Sequence, residues 1–183
     1  DYRDRFLHEA RAIAQLTHPR IVAIYDVVSD SSQCSFTMEY IDGSDLRKKL
    51  LAEPKLAIAE IAHYGAQVAE ALAAAHGASI VHRDIKPENI MILARTNEVK
   101  VVDFGLARLA NEAHLTQEGC IVGTVHYMAP EQIRAGQIDH RADIYALGAI
   151  LFELAAGRPP FIGDNVLAQH LQLPAPDPRE FRP

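Results

Sequence analysis

The chain has 183 residues and a mass of 20.2 kDa, with 49% apolar and 23% charged residues, a composition that can bury a core and excludes disorder, collagen and coiled coil. Eighteen basic against twenty-four acidic residues leave a net charge of −6, which repels a phosphate backbone and argues against nucleic acid as a partner. Cys34 and Cys120 sit in no CxxC or Cys/His spacing and are expected to be free thiols in a reducing cytosol. The longest apolar stretch, Ile144 to Phe152, is far short of the ~20 residues of a membrane span, and no signal-peptide pattern opens the chain. No membrane contact is expected from this segment. It begins inside a helical pattern without Met and ends in a Pro-rich run, which suggests a piece of a longer protein.

Phe6, Leu7, Ala10, Ile13 and Ala14 recur at helical spacing ahead of Pro19, predicting an amphipathic helix that stops before the proline. Glu9 falls on the line of that apolar stripe, three residues after Phe6 and four before Ile13. It is either solvated at the stripe's edge or buried against a cation. Two β-type runs follow, Ile21 to Val28 and Cys34 to Tyr40, joined by a Ser/Asp-rich turn and expected to pair antiparallel. A long helix is predicted from Ile58 to His76, with Ile61, Gly65, Val68, Leu72 and Ala75 facing a core. Short strands suit Ile90 to Leu93 and Val99 to Val102, and 111–119 reads as an exposed loop. Asp143 to Ala156 is apolar nearly all round, which predicts burial on every side. A short helix fits Asn165 to Leu171, and the prolines from Pro174 onward argue against regular structure. The strand-containing piece up to residue 41 and the helical piece after it suggest two lobes.

The stretch His82-Arg83-Asp84-Ile85-Lys86-Pro87-Glu88-Asn89 puts an acid, a base and an amide in one loop. That set suits phosphoryl transfer: a carboxylate to receive a hydroxyl proton, a Lys for phosphate charge and an amide oxygen for a hard cation. Asp103 closes an apolar strand and is followed by Phe104-Gly105. A lone carboxylate is expensive to bury there, and a bound cation would offset that cost.

His82-Arg83-Asp84 with Asn89, Asp103-Phe104-Gly105 and Ala129-Pro130-Glu131 together resemble the protein-kinase signature set. The resemblance runs from Glu9 to Phe161. It implies an α+β two-lobe fold: residues 1–41 as a remnant of the small N-lobe, 42–173 as a mainly helical C-lobe, and 174–183 as a Pro-rich tail. It implies ATP and Mg2+ as cofactors, protein substrates with Ser or Thr acceptors, and room for a homodimer of kinase domains. Localisation is expected in the cytoplasm, as a soluble protein or as the cytosolic part of a membrane-anchored kinase.

By the same resemblance, Asp84 is the proton acceptor, and Asn89 and Asp103 are the magnesium ligands. Lys86 contacts the transferred phosphate, with the Thr124 hydroxyl nearby. Lys86 and Gly123-Thr124 resemble the serine/threonine form. Glu9 becomes the helix acid that pairs with an ATP-binding Lys. Ile13, Ile24, Phe104 and His82 form an apolar column between lobes. Met38 guards the adenine pocket, whose hinge is Glu39-Tyr40-Ile41. Asp45 meets the ribose or merely caps a helix, and Met91 floors the adenine or merely packs in the core. Arg83 pairs with a phosphate on the activation loop, where Thr116 is the local acceptor, or Glu118 supplies part of the charge. Asp143 hydrogen-bonds the catalytic-loop backbone. No glycine-rich loop and no strand Lys precede Glu9, and this segment alone is expected to bind ATP poorly. The alternative function is a pseudokinase or scaffold without phosphoryl transfer.

Overall fold

The computed structural model describes residue 10 and residues 12–29, 34–104 and 124–182. Ala10 and residues 12–14 are helical, and Ala10 and Ile13 are buried as the apolar stripe predicts. The helix closes with Leu16 N–H donating to Ile13 O ahead of Pro19. Phe6, Leu7 and Glu9 lie outside the described residues.

Strands β1 (Ile24–Ser29) and β2 (Cys34–Met38) pair antiparallel, with Val27 opposite Phe36 and an irregularity between Ile24 and Asp26. The first strand starts three residues later than its sequence suggests. Ile21 and Val22 are both buried, so they cannot alternate between two faces of a half-buried strand. Instead Ile21 bridges Val101 in parallel, Val101 N–H donates to Arg20 O at 2.8 Å, and Val22 N–H donates to Val101 O at 3.0 Å. The second strand stops at Met38, and Tyr40 stands in solvent.

A second antiparallel sheet has the order β3 (Gly43–Asp45), β4 (Ile90–Leu93), β5 (Val99–Val101). Its first strand carries no β-propensity and was not legible in the sequence. It exists because Gly43 lets the backbone lie against Ile92, where a Cβ would sit 2.0 Å from the Ile92 carbonyl oxygen. Along β4 the faces alternate: Ile90 and Ile92 are buried toward the helices, and Met91 and Leu93 are half-buried on the other face.

Among the described residues, five helices build the larger body: α1 (Leu46–Ala52), α2 (Ile58–Gly77), α3 (Pro130–Ile133), α4 (Arg141–Ala156) and α5 (Val166–Gln172). The predicted face of α2 is the one that is buried, through Ile61, Val68, Leu72 and Ala75. It packs against α4 and β5. At Gly65 the approach is close enough that a Cβ would meet Leu151 Cδ2 at 2.8 Å.

Helix α4 is the core axis, but not on every side as its sequence predicts, because Ile144 is 51% exposed. It starts two residues early, where the Asp139 carboxylate accepts from Arg141 N–H at 2.9 Å. The Pro-rich tail is also more ordered than expected. Pro178–Glu180 form a 3-10 turn, Arg182 donates to Leu56 O at 2.6 Å and Lys55 donates to Phe181 O at 2.6 Å. These contacts tie the tail to the Lys55-Leu56 segment. The architecture is α+β, a small sheet with one helix beside a mainly helical body.

Candidate active site

The loop between α2 and β4 carries the acid, base and amide predicted from sequence. Its entry is fixed by Asp143, 1% exposed on α4. One carboxylate oxygen, Oδ1, accepts from Arg83 N–H at 2.7 Å, and Oδ2 accepts from His82 N–H at 2.8 Å and lies 2.8 Å from His76 Nε2. A buried carboxylate with three donors is satisfied, and the loop backbone gains a fixed start. Asp143 therefore stands where the sequence reading put it, and His76 is a partner that reading missed.

His82 is fully buried, with its ring 4.6 Å from that of Phe104. Its Nε2 lies 2.9 Å from Val102 O, and its Nδ1 accepts from Asp84 N–H at 3.3 Å. These partners assign the neutral ring with the proton on Nε2. Burial pushes its pKa below the ordinary histidine value, against the pull of Asp143 and Val102. Ile13 and Phe104 are buried in one cluster and Ile24 packs against it, with His82 joined through its contact with Phe104.

Asp84 Oδ2 receives Lys86 Nζ at 2.7 Å, and Asn89 Nδ2 donates to Asp84 O at 2.9 Å. Among the described residues Asp84 Oδ1 has no partner, which leaves an oxygen for an incoming hydroxyl proton. Asn89 is buried, and with its Nδ2 committed to Asp84, its Oδ1 is the atom left to accept or ligate. Backbone bonds set the next segment beside this loop: Val102 N–H donates to Asn89 O at 2.9 Å while Val102 O faces His82.

Asp103 follows at once, with φ +57. That left-handed residue turns the chain out of strand geometry, so Phe104 enters the core and Asp103 is exposed. The expectation that a buried Asp103 needs a cation to offset desolvation is therefore corrected: the carboxylate is not buried. It makes no hydrogen bond or ion pair among the described residues, and with Asn89 Oδ1 it offers oxygen donors of the kind a hard divalent cation takes. No cluster of three His, Cys, Asp or Glu residues suited to a metal occurs among the described residues.

Glu39 N–H donates to Ala23 O at 2.8 Å, while its carboxylate accepts from Ala23 N–H at 3.2 Å and Lys100 Nζ at 2.6 Å. Burial opposes the Glu39 charge, yet Lys100 and the Ala23 amide hold its pKa below the usual carboxylate value. The Glu39 carbonyl and the Ile41 backbone make no hydrogen bond to other described residues. Asp45 is a helix cap: its carboxylate accepts from Lys48 N–H at 2.8 Å and pairs with Lys48 Nζ at 3.0 Å. Met91 is half-buried, on the face of β4 opposite Ile90 and Ile92.

Arg83 adopts φ +66, its carbonyl accepts from Gln132 Nε2 at 2.8 Å, and its side-chain Nε is buried without a partner among the described residues. Gln132, which also accepts from Ala129 N–H at 2.9 Å, joins the Ala129-Pro130-Glu131 segment to the loop. The sequence signal for it is a Gln three residues into a proline-initiated helix. Glu9, Gly105, Thr116, Glu118, Cys120 and Gly123 lie outside the described residues, as do the side chains of Thr124 and Cys34. The backbone of Thr124 opens a 3-10 turn, Thr124–Tyr127. Met38 is 43% exposed.

The chain matches the family model described as protein kinase domain over residues 1–174. It is 43% identical to the serine/threonine-protein kinase PknD of Mycobacterium tuberculosis, covering 100% of this chain and 28% of that protein. Against the serine/threonine-protein kinase PrkC of Bacillus subtilis the identity is 40%, over 98% of this chain and 28% of PrkC. For the serine/threonine-protein kinase pkn3 of Myxococcus xanthus the values are 41%, 98% and 35%. The chain thus spans about a third or less of the length of the curated relatives it matches. With matched residues that take in the loop, Asp103 and the Ala129-Pro130-Glu131 segment, the chain belongs to the protein kinase family, as catalytic-domain sequence of the bacterial serine/threonine type.

Proposed function

We propose that the protein carrying this chain transfers the γ-phosphate of ATP to Ser or Thr hydroxyls of proteins in the cytoplasm. The observation that carries this reading is the joint geometry of Asp84, Lys86, Asn89 and Asp103: a carboxylate with a spare oxygen, a cation beside it, and two further oxygen donors on a backbone locked to the same loop. Asp84 takes the proton of the acceptor hydroxyl. Lys86, which sits on Asp84 here, is the side chain with the reach and charge to meet a phosphate instead.

Asn89 and Asp103 would hold Mg2+, which supplies charge neutralisation of the ATP phosphates when bound. The adenine would lie against Met91, with the Glu39 carbonyl and the Ile41 backbone as its polar contacts and Asp45 near the ribose. Catalysis on this reading is positioning and electrostatics. Arg83 Nε, buried and without a partner among the described residues, supports a role for Arg83 as the receiver of a phosphate on Thr116. Glu9 and Thr124 complete the proposed set as the Lys-pairing acid and the hydroxyl near Asp84. The alternative of a scaffold without phosphoryl transfer finds no support, because Asp84, Asn89 and Asp103 are all present.

The test is transfer of labelled phosphate from γ-labelled ATP to a generic protein substrate, using the full-length protein beside its Asp103→Ala and Asp84→Ala variants. Transfer by the wild type that falls at least about a hundredfold in both variants is expected, as for loss of a charge-stabilising group or a general base in a preorganised site. Equal transfer by wild type and variants, or none by folded wild type, would overturn the reading.

A further inference from the structure

Arg47, on α1, has a role that the signature motifs do not assign. Its Nε donates to Glu88 Oε1 at 2.9 Å, its Nη1 to Glu153 Oε1 at 2.7 Å, and its Nη2 to the Tyr127 hydroxyl. Tyr127 in turn donates to Glu153 Oε2 at 2.5 Å. Three segments far apart in sequence meet on one planar guanidinium: the turn before Asn89, the far end of α4, and the 3-10 turn that Thr124 opens.

We propose that Arg47 is a positioning residue that ties the Glu88-Asn89 turn to α4, so that one buried helix holds the catalytic loop at both ends. The proposal rests on the phosphotransfer reading above for the meaning of the loop. Asp143 holds the loop's beginning directly, through His82 and Arg83. Glu153, ten positions along the same helix and so about 15 Å away, holds its end through Arg47. Between the two grips lie Asp84, Lys86 and Asn89.

The chemistry explains why this residue is an arginine. Glu153 and Tyr127 are nearly inaccessible, and a buried carboxylate needs a cation. That demand alone would be met by one contact from any cation. Glu88 makes no such demand, since its side chain is 43% exposed and water would solvate it. Its bond to Arg47 is therefore surplus to burial, and what it adds is a fixed place for the turn that presents Asn89. A fork with donors in three directions serves all three partners, and a lysine ammonium on a flexible stem does not fix their relative geometry. The arginine keeps its charge: burial opposes it, but the bonds to Glu153 and Glu88 raise its pKa above the ordinary value.

The test separates the surplus bond from the buried one. In the full-length protein, Glu88→Gln weakens only the link to the turn, Arg47→Lys keeps the charge without the fork, and Arg47→Met removes both. The readouts are amide hydrogen exchange at Asn89 and Ile90, whose N–H groups close the turn onto Lys86 O and Pro87 O, the Mg2+ concentration for half-maximal transfer, and the melting temperature. Glu88→Gln and Arg47→Lys should speed exchange at these two amides by about threefold or more and raise the Mg2+ requirement; melting should stay close to wild type in Glu88→Gln, whose pair is partly exposed and contributes little to stability, and fall in Arg47→Lys, which also loosens the buried contacts to Glu153 and Tyr127.

Unchanged exchange and an unchanged Mg2+ requirement in both variants would overturn the proposal and leave Arg47 as a structural counter-ion. Should Arg47→Met fail to fold, those two variants still decide. Faster exchange in the variants with no transfer even by wild type would uphold the positioning and sink the kinase reading.

Discussion

Replacing Asp143 with Ala should damage both stability and catalysis without touching any substrate-facing group. The carboxylate is 1% exposed and accepts two backbone N–H groups of the catalytic loop at 2.8 and 2.7 Å. Alanine would leave both donors without a partner, at about 1–3 kcal/mol each, or about 4 kcal/mol together. In a domain of this length that corresponds to a fall in Tm of roughly 8–16 °C. Asp143→Asn keeps one acceptor oxygen and turns an N–H toward one of the former donors, so about half that loss is expected. The assays are thermal and urea denaturation of the full-length protein, followed by kcat at a temperature where each variant is folded. Since the loop start is freed, kcat should fall by at least about tenfold in Asp143→Ala, in line with the loss from small misplacements of reacting groups. A variant that melts within about 2 °C of wild type would refute the claim that this carboxylate fixes the loop.

Two further outcomes follow from particular side chains. His82 and His170 are buried, and burial pushes both pKa values below the ordinary value of about 6.5. The unfolded chain therefore takes up protons first, so stability is full above about pH 6.5 and falls as the pH drops below it, with a slope approaching ~1.4 kcal/mol per unit per histidine. Urea midpoints measured from pH 7.5 to 5.5 check this, and a flat or inverted profile would contradict it. Gly43→Ala would place a Cβ 2.0 Å from the Ile92 carbonyl oxygen, forcing β3 away from β4 at a cost of about 2–3 kcal/mol. Because Asp45 and Met91 are paired across the same two strands, the KM for ATP should rise as well. Unaltered melting and KM would show that the strands can separate freely there.

The parts of the fold legible in the sequence were those whose signal is local and repeated. The buried face of α2 repeats every three to four residues, and β4 is a short apolar run bounded by the turn at Arg95-Thr96-Asn97, so both were placed almost to the residue. The strand β3 was not legible, because Gly43-Ser44-Asp45 pairs with β4 through backbone proximity rather than through any pattern of its own. Asp103 was singled out for a sound chemical reason and an unsound structural one: its positive φ, invisible in a strand-like run of valines, carries it out of the core. Asp84, Lys86 and Asn89 stood out because their chemistry is compressed into one short loop.

Arg47, Tyr127, Glu153, His76 and Gln132 did not stand out. Each is common in its local context, and its significance comes only from a partner that the fold brings from far away in the chain. Glu153 carried a weak clue, an acid on a helix otherwise too apolar to face water. Asp45 remained two-sided: it caps α1, which does not prevent its contacting a ribose.

The bridge between Ile21 and Val101 has a consequence for the order in which the chain can fold. The backbone bonds that seat the segment leading into β1 are made with β5, far downstream. During synthesis the N-terminal residues therefore emerge well before their docking surface exists. Closing that long loop carries an entropic penalty that the assembled β4 and β5 offset, so the Ile21–Val22 segment should lock only after β5 is in place. A nascent chain stalled before Val99 should leave Ile21 and Val22 accessible to protease and chaperone, and extension past Asp103 should protect them.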